Sequence, residues 1–115
     1  MGLRLIKVTL KEEWMTITAN LSDDNATWVI KLDDKFDFGK VQEFRDAYQS
    51  LPEDITTVEV DLGQTEYMDS SALGMLLNMQ KSLGERSLAY KITHCRPQVA
   101  RILTISRFDK KFDIS

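Results

Sequence analysis

The chain is poor in the residues that cross-link, bend or metallate a fold. Its 115 residues include one cysteine (Cys95), one histidine (His94), two prolines and five glycines. A lone thiol closes no internal disulfide. With no signal-peptide pattern at the start of the chain, a reducing, cytoplasmic setting is expected. Few breakers, no low-complexity run and no internal repeat leave no linker, so residues 1–115 read as one domain, with residues 1–12 as an arm or edge strand. No apolar run approaches the roughly 20 residues of a membrane span. An excess of basic residues is also missing: 15 Lys and Arg against 18 Asp and Glu give a net charge of -3. This argues against nucleic acid as a main ligand. His94 and Cys95 adjoin at a strand end, but zinc wants about four ligands and no other Cys or His exists, so no metal or cofactor is expected. No Walker loop, Gly-x-Gly-x-x-Gly or Gly-x-Ser-x-Gly elbow occurs, and no enzymatic activity is expected.

What remains is an ordinary globular balance, 43% hydrophobic and 29% charged. Met15 to Leu21 alternates, with Ile17, Ala19 and Leu21 on one face. Ser22-Asp23-Asp24-Asn25 is a dense turn signal, and Trp28, Ile30 and Leu32 mark a second strand, so a β-hairpin is expected. Asp33 to Gly39 is an acidic loop holding Phe36 and Phe38. Asp37 is placed to cap a helix from about Phe38 to Leu51, whose buried stripe is Val41, Phe44, Tyr48 and Leu51, and Pro52 ends it. Thr57 to Leu62 is a central strand. A helix follows from Asp69 to about Leu83, with Gly84 as its C-cap. Leu88, Tyr90 and Ile92 form another strand. Pro97 opens a further helix that buries Val99, Ile102 and Leu103, and a short closing strand spans Lys111 to Ile114. Successive strand–helix–strand units imply parallel pairing, with the first hairpin as an antiparallel edge.

The organising stretch runs from Val58 to Leu77. Val58, Val60 and Leu62 alternate with Glu59 and Asp61, which is strand period, whereas Leu73, Leu76, Leu77 and Leu83 recur at helical spacing. Between them, Asp69-Ser70-Ser71 is a helix start, because Asp and Ser side chains accept from free N–H groups of the first turn. A hydroxyl there stands at the positive end of a helix, where added negative charge is tolerated.

Tyr67-Met68-Asp69-Ser70-Ser71-Ala72-Leu73-Gly74 resembles the signature of the STAS domain, the fold of bacterial anti-sigma factor antagonists. In that family an Asp-Ser-Ser-Gly-hydrophobic-Gly segment follows a strand. Val58 to Leu62 is similar to the family's central strand, Pro97 to Leu103 to its last helix, and Lys35-Phe36-Asp37 to the loop ahead of its first helix. The resemblance covers roughly Met15 to Ile114. It implies an α/β fold: a mixed sheet of four to five strands with an N-terminal antiparallel hairpin and three to four packed helices. It implies phosphorylation at Ser70, with Ser71 as the second choice, and Asp69 supporting the acceptor. It implies a partner-binding surface of Asp37, Phe36, Asp69, Ser70, Ser71, Ala72 and Leu73. The implied partner is an anti-sigma factor or serine kinase of the histidine-kinase-like ATPase fold, and a phosphatase reverses the modification. Two positions depart from the pattern, Ala72 and Asp34, both where the family usually has Gly.

Other readings compete. Asp69-Ser70-Ser71 serves as a helix cap alone in many proteins. A STAS subunit that constitutively binds a transporter or lipid-export complex would use the same turn as an interface without phosphorylation. Asp33-Asp34 with Asp61 fits a receiver-like domain phosphorylated on Asp61, although the chain is one βα unit short. Ser70 with His94 is a weak hydrolase pair. Trp28, Phe36 and Phe38 either form an exposed aromatic patch or bury against the first helix.

Overall fold

Alternating side chains build the sheet, and helical apolar stripes cover it. The computed structural model describes residues 16–115; the expected arm over residues 1–12 lies outside them. The strands are β1 (Thr18–Leu21), β2 (Thr27–Lys31), β3 (Lys35–Phe36), β4 (Thr57–Asp61), β5 (Tyr67–Met68), β6 (Ala89–Thr93) and β7 (Asp113–Ile114). The helices are α1 (Val41–Gln49), α2 (Ser70–Ser82) and α3 (Pro97–Ile105). The main sheet runs β1-β2-β4-β6-β7, with β1 antiparallel to β2 and every other pair parallel. This is the expected mixed sheet with an antiparallel hairpin at one edge.

The hairpin turn closes as its residue types dictate. The Asp24 carboxylate accepts from the Ala26 amide at 2.9 Å and from the Ser22 hydroxyl, while Asn25 takes φ 59°. Asn tolerates that left-handed backbone better than a branched side chain would. Along β2 and β4, Trp28, Ile30, Val58 and Val60 point into the core and are buried. Phe44, Ala47 and Tyr48 from α1, Met75, Leu76 and Met79 from α2, and Val99 and Leu103 from α3 pack into the same cluster. Trp28 keeps its polar end satisfied by donating Nε1–H to the Ala47 carbonyl at 2.9 Å.

Several boundaries differ from expectation. Phe38–Lys40 forms a 3₁₀ turn ahead of α1, so the regular helix starts at Val41. Gly84 is not a left-handed cap, because no glycine described here has positive φ. The chain instead tightens into a 3₁₀ turn over Gly84–Arg86, and Ser87 takes the left-handed conformation at φ 53°. Ile102 is half-buried, not core. Strand β5 was not expected at all. It pairs in parallel with β3 as a separate two-stranded ribbon, with Lys35 opposite Tyr67 and Phe36 opposite Met68.

The strand order removes the receiver-like reading. Receiver sheets follow the order 2-1-3-4-5, with a reversal point at which the ligand binds. Here the parallel strands follow one another without reversal. The acidic loop is structural at its start: Asp33 Oδ1 accepts from Lys40 Nζ at 2.6 Å, and its carbonyl accepts from Thr65 Oγ1 at 2.8 Å.

Candidate functional site

The β3–β5 ribbon sets two helix starts side by side. Each strand ends on a buried apolar residue, Phe36 or Met68, followed by an aspartate that caps the next turn. Asp37 Oδ1 accepts from the Gly39 amide at 3.0 Å. Asp69 Oδ1 accepts from the Ser71 amide at 3.0 Å, the Ala72 amide at 3.4 Å and the Ser71 hydroxyl at 2.5 Å. Carried one residue on, the Phe36–Met68 register brings the two caps together. Backbone bonds from Glu66 and Tyr67 amides to the Asp34 carbonyl, at 2.8 and 3.0 Å, fix this arrangement.

The two serines differ. Ser70 is the first residue of α2 and is exposed, whereas Ser71 is half-buried and holds its hydroxyl on Asp69. The Asp69 carboxylate thus supports Ser71 and the helix, not Ser70 as the sequence implied. A cap accepting three N–H and O–H groups is best satisfied when charged. The Ser71 hydroxyl first, then the Ala72 and Ser71 amides, hold the Asp69 carboxyl below its ordinary 3.8. Its contribution to stability is therefore complete above pH 3.8 and lost as pH falls through the lower native value. Asp69→Ala is expected to destabilise the chain at neutral pH, with the gap from wild type narrowing in acid. Urea unfolding at neutral and at acid pH measures this, and a gap that did not change with pH would contradict it.

The structure divides the residues assigned to a partner surface. Ser70 is exposed, and Asp37, Asp69, Ser71 and Leu73 are half-buried at the same helix starts. Phe36 and Ala72 are each 0% exposed and cannot touch a partner. Phe36 packs on Phe44, with ring centroids 5.2 Å apart, and the Ala72 methyl occupies the core where the family's usual Gly would leave space. Trp28 is also buried, so the expected patch shrinks to Phe38, 73% exposed. It gains Tyr67, 51% exposed, which the sequence reading missed. Strand alternation is the signal that would have found Tyr67: with Met68 inward, its neighbour faces out. His94 turns to Asp61 instead of serving as a base for Ser70, its Nδ1 lying 3.2 Å from Asp61 Oδ1.

A mixed sheet with an antiparallel edge, helices packed on one core and a capped Asp-Ser-Ser helix start are the features of a STAS-type fold. The family pattern described as "Mlab, STAS domain" matches residues 19–114, and the chain belongs to that family. It is 42% identical over 101 residues to a STAS-domain containing protein of Pseudomonas aeruginosa (strain UCBPP-PA14), a match covering 88% of this chain and all of the relative. The fold is similar to the anti-sigma factor antagonist SpoIIAA in its unphosphorylated form (TM-score 0.61, 19% identity, 77% of this chain and 82% of that one). It is also similar to a sulfate transporter family protein of Wolinella succinogenes (TM-score 0.65, 12% identity, 78% of each chain). At such identities the likeness to the solved structures is one of fold. Among the described residues no helix is long and apolar enough to cross a membrane.

Proposed function

We propose that this chain is a non-enzymatic, phospho-switched anti-sigma factor antagonist. With Ser70 bare, it binds and sequesters an anti-sigma factor, a serine kinase of the histidine-kinase-like ATPase fold. Phosphorylation of Ser70 by that partner releases it, and a phosphatase restores binding. The observation that carries this reading is the contrast between adjacent hydroxyls. Ser70 is exposed at the mouth of a 13-residue helix, while Ser71 is engaged by the cap.

The switch needs no change of fold. A phosphoryl group adds about -1.5 to -2 charges and three acceptor oxygens. The amino end of α2 tolerates that charge, and the neighbouring Asp69 carboxylate repels it. The two effects oppose within the chain, so the modification acts outward, on a surface that fitted a small neutral side chain.

Intact-mass measurement and phosphopeptide mapping of the chain purified from its native cell test the reading. A fraction carrying one phosphoryl group on Ser70 is expected. A chain that binds its partner while wholly unmodified through stress and growth would instead fit a STAS subunit that binds a transporter constitutively. A phosphoryl group on Ser71 would move the switch to the other hydroxyl.

A further inference from the structure

On the other face of the sheet, Glu59 and Asp61 of β4 stand two residues apart, and His94 follows the end of the neighbouring β6. One ligand atom from each lies within 4.8 Å of the other two. Both carboxylates are half-buried, and the imidazole is 67% exposed. Hydrogen bonds hold both carboxylates in place. The Thr93 hydroxyl donates to Glu59 Oε2 at 2.7 Å, and the Gly63 amide donates to Asp61 Oδ1 at 2.9 Å. Glycine allows that close turn, because a Cβ there would come within 3.1 Å of Asp61 Oδ1 and 3.3 Å of His94 Cβ. Residue 94 takes φ 59°, which swings the ring toward the end of β4. Lys31 and Lys91 are the cross-strand neighbours of Asp61 and Glu59. Among the described residues, no lysine or arginine comes within the 4.0 Å of an ion pair with either carboxylate.

We infer that Glu59, Asp61 and His94 form a binding site for a first-row divalent cation, with water completing the coordination. One imidazole and two carboxylates, the carboxylates each held by a hydrogen bond from Thr93 or Gly63, suit zinc or a similar ion with an open position. The site lies on the sheet face opposite the core and is independent of Ser70.

The chain offers a clean test, because His94 is its only histidine and Cys95 its only cysteine. Calorimetric titration of the untagged chain with zinc chloride is expected to show one equivalent bound. His94→Asn, which accepts the left-handed backbone, and Asp61→Asn should each weaken uptake on the order of tenfold or more. Cys95→Ser should leave it unchanged. No uptake by the wild type, or equal uptake by His94→Asn with its circular dichroism intact, would overturn the site and leave only an ion pair between His94 and Asp61.

Discussion

Ser70→Glu is expected to weaken capture of the anti-sigma factor by about 100-fold or more, whereas Ser70→Ala holds it near the wild-type value. The expectation follows from where the charge would lie. An interface that closes over an exposed hydroxyl at a helix start removes it from water. A charge forced into that contact without a partner costs about 3–5 kcal/mol. Each 1.4 kcal/mol is roughly tenfold in affinity, so a loss of about two to three and a half powers of ten follows. The free chain should be almost indifferent to the same change. Glutamate in the first turn of α2 is favoured by the helix dipole, and Ser70 donates to none of the observed side-chain bonds of the cap. Thermal unfolding near that of the wild type, together with lost binding, is the signature of a switch confined to the interface. Equal affinity of the Glu and Ala variants for the purified partner would remove Ser70 from the mechanism.

The features legible in the sequence were those that repeat. The period of two in Val58 to Leu62 and the helical spacing of Leu73 and Leu76 extend over enough residues to declare themselves, and the caps Asp37 and Asp69 are local chemistry. The β3–β5 ribbon was hidden because two-residue strands have no period, and their existence depends on a partner 32 positions away. That omission explains the error at Phe36. Without the ribbon, Phe36 and Phe38 were simply two aromatics in an acidic loop. With it, Phe36 is the inward residue of β3 and packs on Phe44, while Phe38 lies past the strand end in the 3₁₀ turn and faces solvent. The cation candidate was concealed in a different way. Glu59 and Asp61 looked like the solvent side of a strand, and His94 joins them only once β6 is known to lie beside β4 with Thr93 opposite Asp61.

The two aromatics should therefore separate cleanly on mutation. Phe36 is fully buried, with its ring 5.2 Å from that of Phe44, which in turn meets Tyr48 edge-on at 5.6 Å. Truncating it to alanine removes transfer energy and leaves a hole that strands β3 and β5 cannot collapse without losing their pairing. Phe→Ala changes at such sites cost about 3–5 kcal/mol. Small domains have only about 5–15 kcal/mol of stability in all, so Phe36→Ala should be barely folded, with a large drop in the urea midpoint. Phe38→Ala removes a ring that is 73% exposed and should change stability by no more than about 0.5 kcal/mol. Its effect belongs to docking. An exposed aromatic in the turn that follows β3 has the character of an interface anchor, and losing one costs about 2 kcal/mol or more, roughly 30-fold in affinity. A Phe38→Ala chain that folds and binds as well as the wild type would exclude Phe38 from the docking face. A Phe36→Ala chain of undiminished stability would mean that the first helix does not rest on the β3–β5 ribbon, and the alignment of the two helix starts would lose its support.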